Sequence, residues 1–322
     1  MSSEDKELSI SQFFKDYTVI EYLALLFPDL PRRGLRPLFA DGKVRSGKLP
    51  VSPRARLGDL EQLSVVGGVD GIEPMAMGTE GGGIGILHED GQVVVLVKDS
   101  GVPVVPDRQK EAESCLAFLL RRELRQREDK PVEEYIRPRV VHRIDRLTSG
   151  VVIFAKTPAA ERKLSASFEA RQVRKEYLAI VLGDMAAARK TISVPIDTGR
   201  KGRMRWGAAG KSSETVFEAV ERFGTFTLVR ARPLSGRTHQ VRVHALAAGF
   251  PLAVDSLYRP SATWAWGQLQ GIDRLTLHAR SLELPGDWEG ERRFSCEPPE
   301  DFSRALDELR RGAAASGGAS FE

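Results

Sequence analysis

Two short stretches of this sequence bring reactive side chains together with turn formers. The first is His142-Arg143-Ile144-Asp145-Arg146-Leu147-Thr148-Ser149-Gly150, which runs straight into the apolar segment Val151 to Ala155. A carboxylate at the mouth of a buried strand, with an arginine on either side, is favoured in its charged form, because nearby positive charge outweighs partial burial. Charged and poorly hydrated, Asp145 can act as a nucleophile or as a base. Thr148 and Ser149 can fix the loop through bonds to the backbone, and Gly150 allows a close turn into the strand. On these residues alone, an aspartate that only ties its loop to the neighbouring arginines explains the pattern equally well.

The second stretch is Ser235-Gly236-Arg237-Thr238-His239-Gln240-Val241-Arg242-Val243-His244, at the start of an expected helix, where backbone N–H groups favour anions. His239 and His244 are five apart, off one another's face in a helix and on opposite faces of a strand, so this pair does not read as a metal site. Two further segments, Lys175-Glu176-Tyr177 and Leu277-His278-Ala279, read as ordinary strand by themselves. Tyr177 shares a strand face with the smaller Ala179 and Val181, which leaves room above the sheet.

The elements expected around these segments form an α+β protein. Helical apolar spacing covers Phe13 to Phe27, Leu35 to Phe39, Ala112 to Arg125, Thr157-Pro158 to Ala170, and Thr238 to Ala248. Strand patterns cover Val93 to Lys98, Val151 to Ala155, Tyr177 to Leu182, Ile192 to Ile196, Thr215 to Val220, Phe226 to Arg232 and Leu275 to Leu284. Strands outnumber helices and several connections are short, which favours a mixed, largely antiparallel central sheet with flanking helices. The expected organisation is a small α/β module at 1–66, a glycine-rich linker at 67–85, a catalytic domain at 86–290 and a C-terminal extension at 291–322. The end of that extension, after about Arg311, reads as disordered.

Bulk properties narrow the function. The 322 residues are 41% hydrophobic and 29% charged, with net charge +4. No apolar run approaches the roughly 20 residues of a membrane span, and the acidic start lacks the features of a secretion signal; a cytoplasmic protein without membrane attachment is expected. Cys115 and Cys296 are isolated, which excludes a disulfide framework or a structural zinc site. Arg200, Lys201, Arg203, Arg205 and Lys211 form a basic run without an acid, and Arg137, Arg139, Arg143 and Arg146 surround the first motif. Either run alone is an ordinary solvated surface. Two runs of one sign near a candidate site tilt the reading toward a nucleic acid.

The first motif resembles the His-Arg-Leu-Asp-x-x-Thr-Ser-Gly signature of the RluA-type pseudouridine synthases, with Ile144 for Leu. The second is similar to their Gly-Arg-Thr-His-Gln-Ile-Arg-Val-His, with Val241 for Ile. Lys175-x-Tyr177 and Leu277-His278-Ala279 match two more motifs in the same order, so the likeness covers about residues 86–285. The resemblance implies the pseudouridine synthase fold and an isomerase that converts uridine in structured ribosomal or transfer RNA to pseudouridine. It implies Asp145 as the catalytic carboxylate, Arg242 as its partner, Tyr177 packed on the target base, and Arg143 entering the RNA stack where that base leaves. Arg146, Arg200, Lys201, Arg203, Arg205, Arg237 and His239 are the expected RNA contacts. The reaction breaks C1′–N1, turns the uracil and rejoins it through C5; it needs no cofactor and no metal, and a monomer suffices. Attack on the base, attack on the sugar and removal of a sugar proton are all open to Asp145.

The chain departs from the family at Lys98-Asp99-Ser100-Gly101, which lacks the family's proline, at Val254-Asp255 for Gly-Asp, at Tyr258-Arg259 for Tyr-Gly, and in the stretch 261–271 with Trp264 and Trp266. These changes bear on substrate identity. Residues 12–67 resemble an S-four-like RNA-binding module through Asp41-Gly42-Lys43-Val44, Leu57-Gly58-Asp59 and Leu63-Ser64-Val65. The competing functions are an RNA-binding protein of the same fold without activity, and a hydrolase using Asp145 as general base. The presence of Asp145, Tyr177 and Arg242 together speaks against the first. The second requires another carboxylate or a metal, which the motifs do not supply.

Overall fold

A computed structural model of the chain describes residues 6–8, 18–26, 32–66, 84–105, 115–127, 138–199, 203–258 and 274–315. It divides into two compact units, one from Met1–Gly83 with Val105–Tyr135, the other from Ile84–Val104 with Ile136–Glu322.

The first unit holds β1 (Lys6–Leu8), α1 (Val19–Leu26), α2 (Arg32–Ala40), β2 (Val44–Ser46), β3 (Leu49–Pro50), β4 (Leu63–Val65) and α3 (Leu116–Arg127). Its sheet runs β1-β4-β2-β3, all antiparallel. Val19, Tyr22, Leu35, Val44 and Val65 form a buried cluster with Cys115 and Phe118. Its position in the sequence places this last helix within the expected catalytic domain, 86–290. Its apolar stripe instead completes the core of the first unit, because an amphipathic pattern marks a buried face without saying which core receives it. The first helix begins later than expected, at Val19; residues 9–17 lie outside the described residues, as does most of the 67–85 segment.

The second unit carries β5 (Gly85–Glu89), β6 (Val93–Lys98), β7 (Arg139–Val140), β8 (Ser149–Ala155), α4 (Pro158–Glu169), β9 (Arg174–Leu182), β10 (Arg189–Ile192), β11 (Ile196–Thr198), β12 (Met204–Trp206), β13 (Thr215–Arg222), β14 (Phe226–Pro233), α5 (Gln240–Ala247), β15 (Leu277–Glu283), β16 (Arg293–Ser295) and α6 (Glu300–Ala315). The main sheet runs β10-β13-β14-β9-β15-β8-β6-β5, with β16 beside β15 and β7 beside β8. Among the described residues only β15 with β8 pairs in parallel, so the mixed, largely antiparallel α+β expectation holds. The expected Ile192–Ile196 strand is two strands. Pro195, which lacks an N–H, interrupts the ladder, and β11 pairs with β12 as a separate hairpin.

Every residue of β8 is buried, as its unbroken apolar run requires of a central strand. Helix α4 starts as expected, with Thr157 accepting a bond from the Ala160 N–H and Pro158 in the first turn. Helix α6 extends to Ala315, past the point where disorder was expected; the run Gly312-Ala313-Ala314-Ala315 is rich in the best helix former. Residues 316–322 lie outside the described residues. No helix among the described residues is long and apolar enough to cross a membrane.

Candidate active site

The register of three adjacent strands brings the motifs together. Gly150 of β8 lies opposite Ala279 of β15, and Ala279 lies opposite Tyr177 of β9. Gly150 has φ +119°, and a Cβ there would collide with the Ala279 carbonyl oxygen. Glycine therefore lets β8 and β15 close up directly after the Asp145 loop. Ser149 hydroxyl and His278 Nδ1, 3.0 Å apart, join the same two strands deeper in the core.

The Asp145 loop is stapled from behind. Lys98, fully buried, donates to the carbonyls of Asp99 (2.7 Å), Val102 (2.7 Å) and Arg146 (2.9 Å). The Gly101 N–H also reaches Arg146 O, and the Ser100 hydroxyl reaches Leu147 O. Burial pushes the Lys98 pKa down to about 7 against the opposing pull of Asp145, and the three carbonyls use all three ammonium protons. The segment that lacks the family's proline thus keeps the two residues, Lys98 and Gly101, that fasten the loop.

Helix α5 delivers Arg242. Its approach is fixed by Gln240, whose amide oxygen accepts from Ser235 hydroxyl and Arg237 N–H while its nitrogen donates to Glu214 O and Thr215 hydroxyl. Arg242, 3% exposed, donates from Nη1 to Asp145 Oδ2 at 3.1 Å. Its Nε and Nη2 each donate at 2.8 Å to the two oxygens of Asp255, which is 1% exposed. Burial opposes the Arg242 charge, but the bonds and charge of Asp255, and then Asp145, outweigh it and raise its pKa. Asp255 also accepts from the N–H groups of Leu257 and Tyr258, closing a turn on its own side chain. The residue before it, Val254, has φ +55°, the left-handed region that β-branched side chains avoid.

Asp145, 22% exposed, borders a cleft of about 440 Å³ together with Tyr177, Arg143, His142, Arg237 and His239. That size falls in the range of small-ligand pockets, about 300–1,000 Å³. Tyr177 is half-buried on the cleft wall; burial, and next the Asp145 charge, raise its phenol pKa, so it meets a ligand as a neutral ring with a proton. Arg143 is exposed at the rim. His142 stacks on Phe168 at 4.7 Å and accepts the Ile153 N–H through Nε2. Burial, then the Lys175 charge, push its pKa down to about 3, so it stays neutral.

Residues 92–247 match the profile of the family described as RNA pseudouridylate synthase. A ribosomal large subunit pseudouridine synthase C from Vibrio parahaemolyticus is 33% identical over 264 residues, which is 80% of this chain and 81% of the relative. The chain belongs to the RNA pseudouridylate synthase family. The synthase C of Escherichia coli strain K12 is 31% identical over 303 residues, covering 90% of this chain and 92% of that one. Of solved structures, human RNA pseudouridylate synthase domain containing 4 aligns with TM-score 0.59 and 25% identity, over 70% of this chain and 93% of that one. Human RNA pseudouridylate synthase domain containing 1 aligns with TM-score 0.53 and 26% identity, over 76% and 100%.

In this synthase the expected residues Asp145, Tyr177, Arg242, Arg143, Arg237 and His239 all line one cleft. Arg146 stands beside it, half-buried, and contributes its carbonyl to the loop staple. Arg203 and Arg205 sit on the exposed β11–β12 hairpin with Trp206, and do not line the cleft; Arg200 and Lys201 lie outside the described residues. His244 is fully buried and bonded to Ser213 and Thr215, and no metal-binding group of three residues occurs among the described residues. Asp255, Tyr258 and Lys98 were not expected at the site. The first two stood in the departing segments Val254-Asp255 and Tyr258-Arg259, where a carboxylate and an aromatic beside a turn were the available signal.

Proposed function

We propose that this synthase isomerises uridine in large-subunit ribosomal RNA, with Asp145 as the catalytic carboxylate, Arg242 as the cation that orients it, and Tyr177 as the surface on which the target uracil packs. The observation that carries this reading is the 3.1 Å bond from Arg242 to a carboxylate that still opens on the cleft. A base must leave its stack before its glycosidic bond can be reached, and Arg143 at the rim is placed to fill the gap, since a guanidinium plane stacks as a base does. In the cleft C1′–N1 breaks, C1′–C5 forms, and the proton lost from C5 is balanced by the one gained at N1. The exposed Arg203 and Arg205, with Arg200 and Lys201 beside them in sequence, supply backbone-directed charge. The relatives named above act on the large ribosomal subunit by their names, which favours ribosomal over transfer RNA.

A hydrolase is disfavoured by the second carboxylate itself. Asp255 is enclosed and already accepts two bonds from Arg242 and two from backbone N–H groups, so it has no face for a water. Nucleoside chromatography after incubation with ribosomal and transfer RNA transcripts tests the proposal. Pseudouridine in the ribosomal transcript that vanishes with Asp145→Asn is the expected result. Free uracil would replace the reading with hydrolysis, and binding without product would replace it with an inactive RNA-binding protein.

A further inference from the structure

Tyr258 touches both Arg242 and the basic hairpin, and the proposed reaction leaves it without a task. It is 3% exposed, at the end of the turn that Asp255 closes. Its phenol oxygen accepts the N–H of Met204 on β12 at 2.7 Å and lies 2.7 Å from His239 Nδ1. Its ring centroid is 4.9 Å from the guanidinium of Arg242 and 5.8 Å from that of Arg203, both at cation–π distance. Arg203 also donates to the carbonyl of Leu257, the residue before it.

We propose that Tyr258 is a positioning residue that couples the β11–β12 hairpin to the catalytic centre by holding the proton of His239 on Nε2, the nitrogen that faces Asp145. The hydrogen-bond directions favour it. Met204 N–H can only donate, so the phenol oxygen accepts there. Among the described residues the one remaining acceptor for the phenol proton is His239 Nδ1. Were Nδ1 protonated instead, it would donate to the phenol oxygen, and the phenol proton would turn into the protein without a partner, at a cost of about 1–3 kcal/mol. A neutral imidazole that accepts at Nδ1 carries its hydrogen at Nε2. Burial first, opposed by Asp145, keeps the ring pKa below its ordinary value, which favours this neutral form.

His239 Nε2 lies 3.9 Å from Asp145 Oδ2, too far for a direct bond. Arg242 Nη1 already donates to the same oxygen. Asp145 Oδ2 is therefore the shared focus of two donors. One is engaged, and the other is free to meet a uracil carbonyl or the carboxylate when the base enters. His239 sits at φ +55° as the cap of α5, which fixes its ring relative to Arg242. RNA that shifts the hairpin moves Met204 N–H and Arg203, and with them the hydroxyl that sets the His239 tautomer. This coupling rests on the assignment of Asp145 as catalytic only for its effect on rate.

The test is a long-range ¹H–¹⁵N spectrum of the imidazoles, with His239 assigned by its loss in His239→Gln. The wild-type spectrum is expected to show His239 bare at Nδ1 and protonated at Nε2. In Tyr258→Phe, which keeps the ring and removes the hydroxyl, the two tautomers should mix. The single-turnover rate on a ribosomal transcript should fall roughly tenfold or more, as for one lost transition-state donor, with RNA affinity held within about twofold of wild type. Arg203→Ala should slow the wild-type enzyme and add little in the Tyr258→Phe background. Protonation at Nδ1 in the wild type would overturn the proposal even if Tyr258→Phe fails to fold. So would an unchanged tautomer in the variant, a loss confined to affinity, or additive effects of the two substitutions. The spectrum needs no turnover, so it decides the tautomer separately from the role of Asp145.

Discussion

Arg242 gives two guanidinium nitrogens to Asp255 and one to Asp145. One cation shared between two carboxylates leaves the group with a net negative charge, and Asp145 holds the weaker share. The buried carboxylate therefore fixes the arginine and leaves the partly exposed one open to the cleft. Asp255→Asn keeps the shape but removes half of a buried ion pair. Breaking such pairs typically costs about 3–5 kcal/mol, and the retained amide oxygen places this variant at the low end, about 3 kcal/mol by urea denaturation. Turnover should fall with it, while KM changes little. An unmoved denaturation midpoint would show that Asp255 does not hold the arginine.

Val254 stands in the left-handed region and is 38% exposed. An L-residue pays roughly 1–2 kcal/mol there, and glycine does not. Val254→Gly should raise stability by about 1 kcal/mol after its greater unfolded-state entropy is subtracted, read as a higher melting temperature with activity retained. A lower melting temperature would mean that the valine side chain makes a compensating contact.

Acid should unfold the protein through its histidines before its carboxylates. His278, fully buried, has its pKa pushed down to about 4 by burial first, against the opposing Cys296 carbonyl. In the unfolded chain a histidine titrates near 6.5. Between those values the unfolded state binds more protons, so stability falls as pH drops from about 6.5 toward 4. The displacement is worth about 3 kcal/mol, and His142, His239 and His244 are displaced in the same direction. Calorimetry should find a shallower pH dependence in His278→Gln across that window; an identical slope would remove His278 from the account.

Neutralising Arg200, Lys201, Arg203 and Arg205 together should flatten the salt dependence of RNA binding. Each lost phosphate contact lowers the slope of log K against log salt by about 0.7–0.9, so four contacts lower it by roughly 3. A slope equal to wild type would assign the hairpin charge to solvated surface.

The residues of the site were legible where they belong to continuous motifs. The arginines beside Asp145 and the apolar strand after it admit a loop tie as readily as a reactive carboxylate, and Tyr177 reads as ordinary strand, so both were singled out by their motifs. Their convergence was not visible in any one segment; it arises from the Gly150–Ala279–Tyr177 register across β8, β15 and β9. Asp255 and Tyr258 were read as loop changes that bear on substrate, because a pairing across a turn of 13 residues leaves no periodic trace. Lys98 was noted for the proline missing after it, and the carbonyl bond that ties it to the Asp145 loop reaches a residue 48 positions away. Helix α3 was recognised as amphipathic but assigned to the other unit, since spacing records that a face is buried and not what buries it.

That return of the chain has a consequence for how the molecule is made. Tyr22, Leu35 and Val65 share their core with Phe118, so the amino-terminal unit cannot finish folding when its own strands leave the ribosome. At about 5–20 residues per second, its apolar face waits several seconds for a helix translated after the first two strands of the neighbouring unit. A nascent chain halted before that helix would carry an unfinished hydrophobic surface, the kind of intermediate that chaperones hold.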